Sequence, residues 1–126
     1  MEKVELDVTA LSQPEQELGI EKTSVLYPAV CYVADHPGAS VSMLDMARLC
    51  HLSPSYFSRL FTREMGMGFT SYVNLQRVEL AKRELRTTSK SVSQIALELG
   101  YLNISHFIKL FKRFEGITPL VYRQNK

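Results

Sequence analysis

The sequence has no tryptophan, only two cysteines and no long apolar run. The longest apolar stretch, residues 25–34, covers ten residues and contains Pro28. A membrane-spanning helix needs about 20 apolar residues. The N-terminal sequence MEKVELD is acidic and lacks the pattern of a signal peptide. These absences predict a cytoplasmic chain that does not contact a membrane.

The cysteines, Cys31 and Cys50, lie in apolar surroundings without a CxxC motif or a Cys/His spacing typical of metal sites. We interpret them as reduced core residues, with a redox pair as the less favoured alternative. The three histidines have no HExxH context, no glycine-rich phosphate loop is present, and the carboxylates are scattered. The sequence therefore predicts no enzyme, no metal site and no cofactor.

Charge is distributed unevenly along the chain. Residues 1–24 hold six acids and two lysines, a net −4, while residues 25–126 hold thirteen cations and seven anions, a net +6. A basic body behind an acidic lead is expected of a nucleic-acid binder with a non-binding extension. The alternative is a solvated basic surface without a partner. We interpret residues 1–23 as an acidic linker or tail, and residues 24–126 as the folded domain.

Apolar periodicity predicts an all-α fold of about seven helices. Helices are expected over 25–36, 42–49, 54–65 and 69–86, followed by two short helices between Ser91 and Gly116 and a last one from Pro119. Among the residues predicted to face inward are Val25, Ala29, Val30, Val33, Leu44, Met46, Ala47, Phe57, Leu60 and Phe61.

The stretch from Ser91 to Arg123 carries the clearest local signals. Ser91 and Gln94 have capping-box spacing, Gly100 is a helix stop, and Asn103 is a candidate N-cap. Two short helices joined by a tight turn, the second with cations on its free face, predict a helix-turn-helix. An ordinary helical hairpin is the alternative.

An internal repeat supports the helix-turn-helix. A shift of 50 superimposes residues 53–72 on 103–122 with seven identities, and before the turn the shift is 49. The identical pairs include Phe57 with Phe107, Phe61 with Phe111, and Gly66 with Gly116. Two copies of one supersecondary unit explain this pattern. An 18-residue helix between them spans about 27 Å, close to the ~34 Å that separates successive major grooves.

The second copy resembles the signature of the AraC/XylS family of bacterial transcription regulators, and the first copy is similar to it. The matching residues of the second copy are Ile95, Ala96, Gly100, Tyr101, Ser105, His106, Phe107, Phe111, Lys112, Gly116, Thr118, Pro119, Tyr122 and Arg123. In the first copy they are Ala47, Ser53, Tyr56, Phe57, Arg59, Leu60, Phe61, Gly66, Phe69 and Tyr72.

The resemblance implies two helix-turn-helix subdomains, 24–68 and 87–126, joined by a long central helix over 69–86. It also implies that both recognition helices enter the major groove of promoter DNA. Many members carry an upstream effector-binding or dimerisation domain, which this sequence lacks. The chain is therefore expected to be either the DNA-binding fragment of a longer regulator or a stand-alone short member. The sequence departs from the family at His106, where tyrosine is frequent, and at Lys109, where arginine is common.

Candidate base-reading residues lie on the exposed faces of the two recognition helices. Arg59 suits bidentate bonding to guanine, and its match to a reading position of the family strengthens that assignment. Lys109, at the equivalent place, supplies a less directional point charge. Ile108 suits either a thymine methyl or a place at the edge of the core, and His106 suits either DNA or a half-buried structural role. The predicted base readers are Ser55, Ser58, Arg59, Ser105, His106, Ile108 and Lys109.

Cations and helix starts supply the candidate phosphate contacts. The predicted set is Ser42, Thr62, Arg63, Lys90, Ser91, Lys112 and Arg113. For the two arginines, ion pairs within the protein are the alternative. The predicted function is a sequence-specific regulator that binds double-stranded promoter DNA. The alternative is a helical interaction module that contacts RNA polymerase without reading DNA sequence.

Overall fold

The computed structural model describes residues 20, 21 and 23–125. Within them the chain forms seven α-helices and no β-strand, as expected of the predicted all-α fold. The helices are α1 (Tyr27–Asp35), α2 (Met43–Leu49), α3 (Pro54–Met65), α4 (Phe69–Thr87), α5 (Val92–Glu98), α6 (Ile104–Glu115) and α7 (Pro119–Asn125). The predicted acidic linker lies outside the described residues, apart from residues 20, 21 and 23.

The chain forms two compact units that are not simply consecutive in sequence. The first contains the described residues up to Asp35 and then Ser42–Phe69. The second contains His36–Val41 together with the chain from Thr70 onwards. The segment His36–Val41 therefore belongs to the second unit, although it connects α1 to α2 of the first.

Side-chain caps begin the short helices where the sequence predicts them. The Ser42 hydroxyl accepts a hydrogen bond from the Asp45 N–H at 3.2 Å, and Ser53 does the same for Tyr56 at the start of α3. These bonds satisfy N–H groups that the first turn of a helix leaves without partners. Gly66 ends α3 with a φ of 80°, in the left-handed region that glycine adopts without strain.

Aromatic packing forms the core of the first unit. The Phe57 ring centroid lies 5.6 Å from that of Phe61 and 5.6 Å from that of Phe69. Phe57 and Phe61 are fully buried, as predicted from their spacing on α3. Other buried residues of this unit are Ile20, Leu26, Ala29, Val30, Val33, Met46, Ala47, Cys50 and Leu60.

Two inward assignments in the first unit are wrong. Val25 is 52% exposed because α1 begins only at Tyr27, so Val25 lies before the helix and outside its buried face. Leu44 is 50% exposed because α2 buries the face that carries Met46 and Ala47. Leu44 lies about a third of a turn round the helix from that face.

The second unit repeats the aromatic core. Phe107 and Phe111 are fully buried on α6, their ring centroids 6.0 Å apart, and Phe111 also packs against Tyr122 of α7 at 5.8 Å. Phe114 is partly buried beside them. The remaining core residues of this unit are Val78, Ala81, Leu85, Ile95, Ala96, Leu99, Tyr101 and Leu110.

Arg77 holds the segment His36–Val41 within the second unit. Its Nε donates to the Pro37 carbonyl at 3.1 Å, and its second guanidinium nitrogen donates to the Ala39 carbonyl at 2.7 Å. The guanidinium carbon lies 5.2 Å from the ring centroid of Tyr101, whose hydroxyl donates to the side chain of Asn74 at 2.8 Å. Burial raises the pKa of Tyr101. We call these contacts the Arg77 clip.

Two glycines allow the backbone of this segment to approach α5. A Cβ atom on Gly38 would lie 2.4 Å from the carbonyl oxygen of Glu98, which is closer than any real contact. A Cβ atom on Gly100 would lie 2.8 Å from the carbonyl oxygen of Gly38. Gly100 also has a φ of 92°, which other residues adopt only with strain. Glycine is therefore required at both positions.

Gly38→Ala should destabilise the protein by about 1–3 kcal/mol, because the new methyl group overlaps a main-chain atom that cannot rotate away. Gly68→Ala is the matched control, since a Cβ at Gly68 meets nothing within 4 Å and Gly68 has no positive φ. Denaturant unfolding of parent and both variants measures the difference. Equal midpoints for Gly38→Ala and the parent would contradict the close approach.

Candidate nucleic-acid interface

The exposed face of α3 brings together most of the candidate residues of the first unit. Ser55, Arg59, Thr62 and Arg63 are exposed, and Ser58 is half-buried. The Thr62 hydroxyl donates to the Ser58 carbonyl at 3.0 Å, which fixes its direction along the helix. Because α3 buries Phe57 and Phe61 on one side, this polar face is directed to solvent.

Arg59 stands next to an aromatic ring. Its guanidinium carbon lies 5.9 Å from the ring centroid of Tyr56, one turn earlier on α3. Within the described residues, its side chain makes no hydrogen bond or ion pair. Tyr56 is 42% exposed and belongs to this face, although no sequence pattern predicted a role for it. The signal that could have found it is its spacing of three from an arginine.

The exposed face of α6 is more basic. Lys109, Lys112 and Arg113 are exposed, and among the described residues none of these three side chains has a hydrogen bond or ion pair. Ser105 is exposed on the same helix. Ile108 is half-buried and packs against the core of the second unit, so it occupies the edge position that the sequence left open. The helix thus presents three positive charges that no described carboxylate neutralises.

His106 is exposed at the start of α6 and is not a half-buried histidine. Its main-chain N–H donates to the Asn103 side chain at 3.1 Å, which confirms Asn103 as the N-cap. The imidazole ring lies edge-on to Tyr101, with centroids 6.0 Å apart. Its ring is therefore at the surface, beside the turn that precedes α6.

Lys90 is engaged in ion pairs within the second unit. Its ammonium group lies 3.0 Å from a Glu84 carboxylate oxygen and 2.9 Å from one of Glu98. The hydrogen bonds that the Lys90 ammonium group donates to Glu98 and then to Glu84 raise the pKa of Lys90. Hydrogen bonds from Gln94 and then Lys90 lower the pKa of Glu98. The predicted phosphate ligand thus already has two anionic partners.

Ser42 and Ser91, the predicted phosphate contacts at helix starts, are both N-caps. The Ser91 hydroxyl accepts from the Gln94 N–H at 3.0 Å, which is one half of the predicted capping box. The Gln94 side chain is directed to Glu98, to which its Nε2 donates at 2.8 Å. The hydroxyl groups of Ser42 and Ser91 therefore already accept hydrogen bonds from main-chain N–H groups of their own helices.

The described residues contain neither a candidate metal site nor a candidate membrane-spanning helix. No group of three or more His, Cys, Asp and Glu side chains there could hold a metal ion. None of the described helices has both the length and the apolar character that a membrane crossing requires.

Known proteins share the helix-turn-helix region of this chain. A family model described as a helix-turn-helix domain matches residues 46–125. The HTH-type transcriptional regulator YtdP of Bacillus subtilis (strain 168) is 42% identical over 98 residues, which cover 77% of this chain and 13% of YtdP. The chain therefore spans only a small part of this curated relative's length.

Solved structures show the same fold. The C-terminal domain of AraT, a response regulator from Geobacillus stearothermophilus, has a TM-score of 0.78 and 27% identity, covering 84% of this chain and 89% of that one. A transcriptional regulator of Chromobacterium violaceum, described among AraC-type DNA-binding domain-containing proteins, has a TM-score of 0.76 and 29% identity. The match covers 80% of this chain and 90% of that one.

Lys90→Met should lower the thermal midpoint at neutral pH, because Glu84 and Glu98 lose their shared cation. The folded-state pKa of Glu98 is lowered from its ordinary value of 4.5. Its contribution to stability is therefore present above that value and is lost as the pH falls through the folded-state pKa. The difference between variant and parent should shrink in acid accordingly.

Thermal melts from about pH 3 to about pH 8 measure this dependence. Lys109→Met is the matched control, since Lys109 has no ion pair among the described residues, and it should melt like the parent throughout. A Lys90→Met midpoint equal to that of the parent at neutral pH would show that these ion pairs add nothing to stability.

Proposed function

The chain belongs to the AraC-type helix-turn-helix family, and on that premise we propose that it binds double-stranded promoter DNA sequence-specifically and regulates transcription. The observation that carries this proposal is the solvent-directed face of α6, where Lys109, Lys112 and Arg113 have no anionic partner among the described residues. Unneutralised cations on a recognition helix suit the phosphate backbone of DNA. Each recognition helix enters a major groove, and the two grooves are successive.

The residues divide between reading bases and holding phosphates. Arg59 reads a guanine, because its planar fork matches the two acceptors on the major-groove edge of that base. Lys112 and Arg113 contact phosphates, and so do Thr62 and Arg63 on α3. Lys90 acts within the protein, because its ammonium group is already shared by two carboxylates.

Unlike reading faces should recognise unlike half-sites. The two recognition helices share their buried phenylalanines, but α3 presents Arg59 where α6 presents Lys109. Serines complete the first face, whereas His106 and Ser105 accompany the cations of the second. We therefore expect an asymmetric operator that one chain can occupy.

Further parts of the proposal rest on the family rather than on contacts of the described residues. Contact with RNA polymerase and an upstream effector or dimerisation domain stay predictions. Action in the cytoplasm follows from the location of promoter DNA in bacteria. The matched family is a DNA-binding regulator domain and not an enzyme class, so we assign the chain no catalytic step.

DNA affinity should fall steeply as salt rises, because each neutralised phosphate releases counterions, with a slope near −0.9 per contact on logarithmic axes. Lys112→Ala should weaken all sequences alike and make that slope shallower by about one. Arg83→Ala, which removes an exposed cation of α4 outside the recognition helices, should leave the slope unchanged. Titrations of a duplex at several salt concentrations measure all three proteins, and a salt-independent affinity of the parent would refute DNA binding.

Arg59→Ala should relax the preference at one base pair by about 1–3 kcal/mol, because a bidentate contact is lost there. Arg59→Lys is the matched variant, since it keeps the charge and removes the fork, and it should relax the same position. The measurement is binding to a panel of single-base operator variants at fixed salt. A uniform loss across the panel for Arg59→Ala would identify Arg59 as a phosphate contact.

A further inference from the structure

Tyr56 lies on the surface of α3 beside the candidate reader Arg59. We propose that it is a positioning residue for sequence discrimination, holding the Arg59 guanidinium ready to read its base pair. The inference rests on the proposed function, because it concerns how a DNA reader is oriented. It adds a residue that contacts the reader rather than requiring one that contacts the base.

The main chain of Tyr56 is held at the start of α3. Its main-chain N–H donates to the Ser53 hydroxyl at 3.2 Å, so the first turn of α3 is anchored where Tyr56 stands. Its side chain lines a surface groove together with Leu60 and Arg63 of the same helix. A large aromatic side chain is thus kept at the surface, one turn before Arg59.

The geometry leaves the reading edge of Arg59 free. The guanidinium carbon lies 5.9 Å from the Tyr56 ring centroid, within the range of a cation–π contact. A cation–π contact is an electrostatic attraction to the ring and takes up no N–H group in a hydrogen bond, and among the described residues the Arg59 side chain makes none. Tyr56 can therefore restrict the arginine without occupying the donors that would bond to guanine.

The contact with the Tyr56 ring matters more because Arg59 has no ion pair among the described residues. Among the described residues, no carboxylate holds the Arg59 side chain, so the Tyr56 ring is the interaction that restricts it. A free arginine must lose rotamer freedom when it binds a base, which costs affinity. A ring that restricts it beforehand lowers that cost.

The second unit does not repeat this arrangement. The internal repeat aligns His106 with Tyr56 and Lys109 with Arg59. The His106 ring lies 6.0 Å from Tyr101, on the turn before α6, and Lys109 has no ring contact among the described residues. Arg59 has a ring contact that can orient it, which suits a residue that discriminates between bases. Lys109 has none among the described residues, which suits a residue that adds to affinity for any DNA sequence.

The test uses the panel of single-base operator variants at fixed salt. Arg59→Ala first locates the base pair that Arg59 reads. At that pair, Tyr56→Leu should reduce discrimination by about three- to tenfold, which corresponds to about 0.6–1.4 kcal/mol, the scale of ordering one side chain. Other pairs and the salt slope should stay unchanged, because tyrosine carries no charge. Tyr56→Phe keeps the ring and should behave like the parent.

A double-mutant cycle separates positioning from direct contact. In the Arg59→Ala background, Tyr56→Leu should have no further effect at that base pair. The same loss in both backgrounds would mean that Tyr56 itself touches DNA, which overturns the proposal. So would a Tyr56→Phe variant as impaired as Tyr56→Leu, or a Tyr56→Leu variant that discriminates like the parent. His106→Leu, at the matched place in the second unit, is the control and should not alter that pair.

Failure of the inference differs from failure of the proposed function. A parent protein that binds every duplex of the panel equally would refute sequence-specific binding itself. A parent that discriminates, with no change on Tyr56→Leu, would refute only the role of Tyr56. Thermal melts verify that each variant is folded, and Tyr56→Met provides the same test if Tyr56→Leu is not.

Discussion

Two phenylalanines one turn apart on each recognition helix determine what the opposite face can do. Phe57 and Phe61 on α3, and Phe107 and Phe111 on α6, are all fully buried. Burying two large aromatic side chains stabilises each helix against its unit and fixes its rotation about its own axis. The polar face on the opposite side of each helix is therefore directed to solvent. Arg59 and Lys109 are exposed because the phenylalanines occupy the opposite side of their helices.

This constraint explains why sequence alone predicted so much of the fold. The helix starts at Ser53 and Ser91 and the stop at Gly66 are local, because each depends on residues within one turn. The buried phenylalanines follow from periodicity and from the repeat. The errors at Val25 and Leu44 are also local, since a shift of helix start or a rotation within a seven-residue helix decides burial.

The candidate site was less accessible to sequence reasoning. Lys90 was predicted to contact phosphate, and no pattern could show that Glu84 and Glu98, six residues before and eight after it, share its charge. Such pairs depend on how a helix, a turn and the next helix meet. Helical periodicity could predict which side of each recognition helix is exposed. It could not predict the ion-pair or hydrogen-bond partners of individual side chains.

The placement of His36–Val41 has a consequence for modular engineering. Because this segment is held by the Arg77 clip, the first recognition unit is not a continuous stretch that can be exchanged at a single boundary. A chimaera that took residues up to the start of α4 from a relative would contain the relative's loop at positions 36–41. The residues that this loop contacts would still come from the recipient. The donor loop would have to suit Arg77 and Gly100 of the recipient. In evolution, substitutions in the loop at positions 36–41 should therefore depend on the residues that it contacts about forty to sixty positions later.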